Sequence, residues 1–176
     1  MAFVSQVSEK DAGPELLPLY QQIREKFGFL PNYMQALGGN PQLLQQHLAF
    51  GGQILNDRAL SRTVKEQIGV VVSGLNTSSY CVAVHLELLR QMGIEKPLGR
   101  KLATDYPSAP VGEKVQALFR FADKLTRQPA DIEKVDTEAL RAAGWDDAAI
   151  IETVLTVAYF NFVNRVASGL GLMADF

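Results

Sequence analysis

The sequence predicts an all-α protein, and three kinds of signal support this fold class. Apolar residues recur three and four positions apart over long windows, and no stretch of sustained alternation is bounded by turn residues. Pro41 opens one such window and Gly93 closes another, as is typical of helix ends. Because 176 residues suffice for one compact core, we expect a single domain over residues 1–176.

The first part of the chain predicts three helices. An apolar stripe through residues 16–27 predicts the first, which ends at the 28–31 break. A short helix is expected over residues 32–37. Pro41 then opens a third helix that places Leu43 on its inner face and ends near residue 56 or 57.

A central helical hairpin is predicted next. Ser61 is a good N-cap for a helix that runs to about Leu75, and this helix is too apolar along residues 68–72 to lie on the surface. Residues 76–78 form the turn, after which a second helix continues to the terminating Gly93. We therefore expect the first helix of the hairpin to lie at the centre of the bundle.

Beyond the hairpin, turn residues separate further helical segments. The apolar periodicity places these segments over residues 98–105, 115–125 and 150–170. Residues 107–112 are the most loop-like part of the chain. Asp136 or Thr137 is expected to cap a short helix ending at Gly144, and Asp146 to cap the last and longest helix.

Composition argues against several classes of function. The net charge is −2 with no block of Lys or Arg, so we expect no nucleic-acid partner. Residues 1–10 lack a signal-peptide pattern, and no apolar run approaches the roughly 18 residues that span a bilayer, so we expect a cytoplasmic protein with no membrane partner. A single cysteine excludes an intrachain disulfide and agrees with a reducing compartment.

That cysteine, Cys81, falls in the first turn of its predicted helix, where the helix dipole favours a thiolate. We expect its pKa to fall from ~8.5 to ~6.5 at such a position. His85 follows four residues later on the same helix face and could accept the thiol proton, and Ser78 shares that face three residues earlier.

Glu66 is expected to meet His85 through the geometry of the hairpin. It lies about 13 Å from Leu75 along its helix, whereas His85 lies about 10 Å beyond Ser78, so the two stand at similar height. A carboxylate there would fix the imidazole tautomer and raise its basicity, as the third member of a triad does. The predicted order is Glu66, His85, Cys81.

Each of these residues also has a purely structural interpretation. An unpaired cysteine such as Cys81 often behaves as a small buried hydrophobe, and His85 could be a satisfied core histidine. Glu66 could form a solvated pair with Arg62, four residues earlier. A metal site is disfavoured because no spacing argument brings His47 to the other candidate ligands, so we expect neither metal nor cofactor.

Polar residues also interrupt the apolar surface of the last helix. They are Asn161, Asn164 and Arg165. We interpret them as structural hydrogen-bonding or rim residues.

The spacing of these residues resembles a known motif. Glu66 is followed twelve positions later by Ser78, then by Cys81 and His85, and the motif is Glu, then Cys-x-x-Cys-x-x-x-His. The sequence is thus similar to the alkylhydroperoxidase D and carboxymuconolactone decarboxylase superfamily, in its peroxidase-related branch. Weaker similarities lie at residues 28–32, 143–146 and 161–165.

This resemblance implies a helical bundle that forms homo-oligomers, commonly dimers, trimers or hexamers. In alkylhydroperoxidases the two motif cysteines form a redox pair, with the Glu and His as proton relay. Here Ser78 replaces the first cysteine, so the disulfide cycle cannot be completed within one chain.

The resemblance therefore predicts an antioxidant peroxidase that reduces small alkyl hydroperoxides through Cys81, with Glu66 and His85 as the relay. Ser78 would offer a hydrogen bond, and an external thiol would be the reductant. Two alternatives stay open. One is a non-catalytic or redox-sensing oligomer, and the other is a decarboxylase-like lyase in which His85 and Glu66 move protons on a small carboxylate.

Overall fold

The computed structural model describes residues 2–175, and within this range the chain forms α-helices and no β-strand. The predicted all-α class is therefore confirmed. The helices are α1 (Leu17–Phe27), α2 (Asn32–Leu37), α3 (Pro41–Leu55), α4 (Arg62–Leu75), α5 (Ser79–Gln91), α6 (Lys96–Asp105), α7 (Glu113–Arg127), α8 (Lys134–Ala142) and α9 (Asp147–Gly169).

Helix α4 lies at the centre of the bundle, as its apolar sequence predicted. Ser61 caps it by accepting a hydrogen bond from the Val64 backbone N–H at 3.3 Å. Every residue from 65 to 73 is buried, and the helix packs against α5, α6, α7 and α9. The central position of α4 fixes the place of Glu66, which lies in this buried stretch.

Two glycines allow neighbouring helices to approach α4 closely. A Cβ at Gly69 would clash with the ring of Phe160 on α9, and a Cβ at Gly74 would clash with the backbone carbonyl of Ala103 on α6. Only a residue without a side chain fits at these contacts. Gly69 thereby sets how far the Phe160 ring reaches into the core.

The predicted hairpin joins α4 to α5 through residues 76–78. Thr77 adopts a left-handed conformation with φ of 53°, and the Ser78 N–H donates to the Ser73 carbonyl at 2.9 Å. This tight turn makes α4 and α5 antiparallel neighbours and places Cys81 in the first turn of α5.

Three details differ from the sequence-based expectation. Helix α8 is capped by Glu133 and not by Asp136 or Thr137. The Glu133 carboxylate accepts a hydrogen bond from the Asp136 backbone N–H, and the Asp136 carboxylate accepts one from the Glu133 backbone N–H, which together form a capping box. Helix α6 starts earlier, at Lys96, since Pro97 fits the first helical turn. Leu43 is 53% exposed and does not point inward, because only one face of α3 meets the core.

The polar residues of α9 are structural, as predicted. Asn76 donates to the side-chain oxygens of Asn161 and Asn164 at 3.0 and 2.9 Å, and Asn164 donates to the Ser73 hydroxyl at 3.0 Å. Arg165 donates to the Asn161 carbonyl at 3.0 Å. These bonds hold α9 against the α4–α5 turn. Across residues 2–175, no helix combines the length and apolar character that crossing a membrane requires.

Candidate functional site

A buried carboxylate and an imidazole are in direct contact between α4 and α5. Nδ1 of His85 lies 2.6 Å from Oε2 of Glu66, whose side chain has no exposed surface. Arg62 donates from Nε to the other carboxylate oxygen, Oε1, at 2.7 Å. Both oxygens of Glu66 therefore have a partner. The interpretation of Glu66 as half of a solvated surface pair is wrong, because the pair with Arg62 exists but its carboxylate is buried.

The charge of Glu66 follows from these partners. Burial alone would raise its pKa, but the electrostatic and hydrogen-bond interactions with His85 and Arg62 outweigh burial and hold the pKa of the carboxyl below its ordinary value. An ionised carboxylate can only accept a hydrogen bond, so Nδ1 of His85 is the donor. The other ring nitrogen, Nε2, is then the basic one.

An aromatic neighbour fixes the plane of this imidazole. The ring of Phe160 meets His85 edge to face, with centroids 4.7 Å apart. Because the Glu66 contact fixes one nitrogen and Phe160 fixes the ring plane, His85 is oriented before any substrate binds.

The Cys81 thiol differs from the sequence-based expectation. Although Cys81 lies in the first turn of α5, it is only 1% exposed, and burial raises the pKa of the thiol. The neighbouring Ser78 and Asn164 side chains lower that pKa but do not outweigh burial. The expected shift to ~6.5 is wrong in direction, since the apolar surroundings destabilise a thiolate more than the helix dipole stabilises it.

Ser78 lies where the first motif cysteine would be. Its side chain is buried beside the sulfur, and the hydroxyl forms no hydrogen bond of ordinary geometry with any residue in 2–175. It is nonetheless close enough to Cys81 to favour the thiolate. Within the same range no hydrogen bond joins the sulfur to the His85 ring, although the two residues line one cavity.

This cavity has a volume of about 50 Å³ and an apolar lining. Cys81 and His85 contribute to it together with Arg62. The remaining lining residues are aliphatic, aromatic or imidazole side chains, namely Phe27, Pro31, Tyr33, Met34, His47, Leu55, Tyr80, Val84, Tyr159 and Val163. A space of this size holds a few water-sized groups, which suits the polar end of a small molecule.

Sequence reasoning missed Tyr80 and three further polar side chains of this cavity. Tyr33 on α2, His47 on α3 and Tyr159 on α9 come from helices far apart in the chain. The Tyr159 hydroxyl lies 3.4 Å from Nε2 of His47, and burial lowers the pKa of that histidine. The sequence carried no local signal for this cluster, because it is formed only when α2 and α9 both pack against α3.

Among residues 2–175, no three His, Cys, Asp or Glu side chains come together in a way that could hold a metal ion.

Comparisons with known proteins show which family this chain is similar to. The model of the carboxymuconolactone decarboxylase family matches residues 41–97, which include the α4–α5 hairpin. A search of curated proteins finds no match. Solved structures, in contrast, include several similar ones.

Three solved structures represent these matches, which differ in sequence identity and in the kind of protein. An uncharacterised peroxidase-related protein from Silicibacter sp. TM1040 is 32% identical, with a TM-score of 0.88 over 92% of this chain and 85% of that one. An alkylhydroperoxidase AhpD core protein from Ralstonia eutropha JMP134, also peroxidase-related, is 23% identical, with a TM-score of 0.91 over 99% and 92% of the two chains. The debrominase Bmp8, in complex with 2,3,4-tribromopyrrole, is 21% identical, with a TM-score of 0.84 over 98% and 91%. The last two establish a shared fold.

Proposed function

Since this chain belongs to the carboxymuconolactone decarboxylase superfamily, in its alkylhydroperoxidase D-like, peroxidase-related branch, we propose that it reduces small hydroperoxides through Cys81. One observation carries the proposal. The 2.6 Å contact between Glu66 and His85 orients a basic imidazole nitrogen in the same small cavity that the only cysteine lines.

The first step is deprotonation of Cys81. Because burial raises the pKa of the thiol, only a small fraction is ionised at neutral pH, and a general base is required. His85 takes the thiol proton at Nε2 across the cavity, and Glu66 stabilises the imidazolium through Nδ1. Arg62 keeps Glu66 ionised and so keeps it a hydrogen-bond acceptor.

The second step is attack of the thiolate on a hydroperoxide, R–O–OH. A bond forms between the sulfur and the terminal oxygen while the O–O bond breaks, and the leaving oxygen takes up one proton to give R–OH. Sulfur is oxidised by two electrons to a sulfenic acid. Two molecules of an external thiol then return Cys81 to its reduced form and leave as a disulfide with one water.

The cavity favours a compact, uncharged substrate. Its lining is largely apolar, and the Arg62 guanidinium is engaged by Glu66. A volume of about 50 Å³ admits a hydroperoxide group but not a large ring system. Hydrogen peroxide and tert-butyl hydroperoxide are therefore suitable probes.

A labelling experiment tests the proposal directly. The reduced protein is treated with one equivalent of peroxide in the presence of dimedone and analysed by mass spectrometry. We expect a dimedone adduct on Cys81, and peroxide consumption that continues when excess small thiol is added. Cys81→Ser is the control and should show neither. Equal peroxide consumption by wild type and Cys81→Ser would refute the proposal.

A second candidate is a non-catalytic or redox-sensing protein of the same fold. The burial of Cys81 and the serine at position 78 favour it, since both slow a thiol cycle. Turnover distinguishes the two functions. A sensor would be oxidised once per chain, whereas a peroxidase would consume many equivalents of peroxide while thiol remains.

The contacts of the arginines give less support to a decarboxylase-like lyase. Arg62 is paired with Glu66, Arg58 donates to Gln53 at 2.7 Å, and Arg90 pairs with Glu87 at 2.6 Å. Each of the three therefore already has a partner within the chain. A Cys81→Ala variant with full lyase activity on a small carboxylate would restore this alternative.

We also propose that the protein functions as a homo-oligomer in a reducing, cytoplasmic setting. An exposed apolar surface supports the oligomer. Helix α9 exposes Ile151, Leu155 and Phe162 along one stripe, and Phe50 on α3 is 58% exposed beside it. A second copy of the chain would remove this apolar surface from water. Light scattering coupled to size exclusion should give a mass of at least twice 19.3 kDa, and a monomeric mass would contradict it.

A further inference from the structure

The Tyr33 hydroxyl is a buried polar group of the cavity that the proposed mechanism does not use. Tyr33 is 4% exposed and lines the same cavity as Cys81. Its hydroxyl has no hydrogen-bond partner among residues 2–175. A buried hydroxyl without a partner destabilises the folded protein, so such a group is often functional.

Tyr33 is held in place from two sides. Its backbone N–H donates to the Tyr80 hydroxyl at 2.9 Å, which anchors the main chain of α2 to α5. Its ring packs against the His47 imidazole, with centroids 5.3 Å apart. The hydroxyl is therefore presented to the cavity by a fixed ring.

The surroundings keep this hydroxyl protonated. Burial is the main reason why the pKa of Tyr33 lies well above its ordinary value, and the nearby Tyr159 and Cys81 raise it further. Tyr33 and Cys81 line the same small cavity, so the phenol and the thiol face the same space. A neutral phenol in that space is a hydrogen-bond donor at every pH at which the protein works.

Tyr159 is less available for the same role. Its hydroxyl already lies 3.4 Å from Nε2 of His47, whereas the Tyr33 hydroxyl has no such contact. The third tyrosine of the cavity, Tyr80, has its hydroxyl engaged by the Tyr33 backbone N–H and by Asp175. Of the three phenols that line the cavity with the sulfur, Tyr33 is the one whose donor is unused.

Resting on the function proposed above, we propose that Tyr33 is a catalytic residue that donates its hydroxyl proton to the oxygen that leaves when Cys81 attacks a hydroperoxide. The S–O bond forms, the O–O bond breaks, and the departing R–O⁻ accepts the Tyr33 proton to become R–OH. Tyr33 recovers a proton from the His85 imidazolium, which holds the proton removed from the thiol. Sulfur loses two electrons and the peroxide gains them, so protons and electrons balance.

Two reactions of the same thiol separate this role from a structural one. Oxidation by tert-butyl hydroperoxide expels an alkoxide and needs a proton donor. Alkylation by iodoacetamide expels iodide and does not. Removing a general acid should therefore slow the first reaction and spare the second, whereas a disturbed cavity or thiol would slow both.

The test compares wild type, Tyr33→Phe and the control Tyr106→Phe. The Tyr106 hydroxyl donates to Asp123 at 2.6 Å outside the cavity, so the control also loses one phenol group. Single-turnover rates of Cys81 oxidation and of alkylation are measured by mass spectrometry. For Tyr33→Phe we expect oxidation at least about tenfold slower, as for loss of a general acid, with alkylation changed by less than about twofold. The control should match wild type in both reactions.

The outcomes are distinct. Oxidation of Tyr33→Phe within twofold of wild type would overturn the role of Tyr33 and leave the proposed peroxidase standing. An equal loss of oxidation and alkylation would overturn it as well, because Tyr33 would then act on the thiol. No oxidation of Cys81 in the wild type would overturn both proposals.

Discussion

The Oε2 atom of Glu66 lies 2.6 Å from Nδ1 of His85, and both residues are removed from solvent at the junction of α4 and α5. A buried carboxylate is tolerated only when its charge is compensated, and here Arg62 supplies the compensation. The pair therefore links stability to chemistry, because the interactions that keep Glu66 ionised also orient the imidazole.

Glu66→Gln should lower the free energy of unfolding at neutral pH and make it less dependent on acid pH. The pKa of Glu66 is lower in the folded protein than its ordinary value of 4.5, so its contribution to stability is present above about pH 4.5 and lost as the pH falls through the folded-state pKa. We expect the variant to be less stable at pH 7 by about 3 kcal/mol, as for a broken buried ion pair, with a smaller further loss on acidification. Urea unfolding from pH 7 to 3 measures both effects.

Glu152→Gln is the matched control for activity. Glu152 pairs with the buried Lys65 at 2.9 Å and is not part of the cavity. Both variants should unfold more easily, but only Glu66→Gln should slow oxidation of Cys81. An equal effect of the two on oxidation would show that the rate follows stability and not the orientation of His85.

Cys81 should react as a thiol with a raised pKa. Burial raises its pKa, so at pH 7 no more than about a few per cent is thiolate. We expect the rate of alkylation by iodoacetamide to keep rising beyond pH 9, without a plateau near neutrality. A midpoint near pH 6.5 would mean that the helix dipole dominates over burial after all.

Much of the fold could be predicted from the sequence, whereas the electrostatics of the site could not. Capping residues such as Ser61 and Asp146 are local signals, and both cap the helices they were expected to cap. The meeting of Glu66 with His85 followed from counting residues along a short hairpin. The pKa of Cys81 could not be predicted in this way, because it depends on how other helices cover the sulfur.

Long-range packing explains why the sequence did not predict that His47 and Tyr33 line the cavity. His47 reaches the cavity because α3 lies against α9, where its ring stacks on Tyr159 with centroids 5.9 Å apart. No spacing along the chain encodes a contact between residues 112 positions apart. Tyr33 was missed for the same reason.

Gly69→Ala should disturb the site from a distance. The added Cβ would clash with the Phe160 ring, which packs edge to face on His85. Overpacking of this kind costs about 1 to 3 kcal/mol, more than the gain of up to about 1 kcal/mol from alanine in a helix. We expect lower thermal stability and slower Cys81 oxidation. Gly169→Ala, where nothing lies within 4 Å, is the control and should be neutral or stabilising.

Ser78→Cys should restore an internal resolving thiol. Ser78 precedes Cys81 by three residues at the start of α5, a spacing that brings Cα atoms within the 4.4 to 6.8 Å of disulfides. After one equivalent of peroxide we expect an intrachain disulfide, seen as a mass loss of about 2 Da, in place of a dimedone adduct. Turnover with a dithiol reductant should rise because resolution becomes intramolecular. Ser79→Cys is the control, since Ser79 is exposed and points away from the sulfur's face of the helix. A disulfide in that variant, or none with Ser78→Cys, would show that position 78 does not face the sulfur productively.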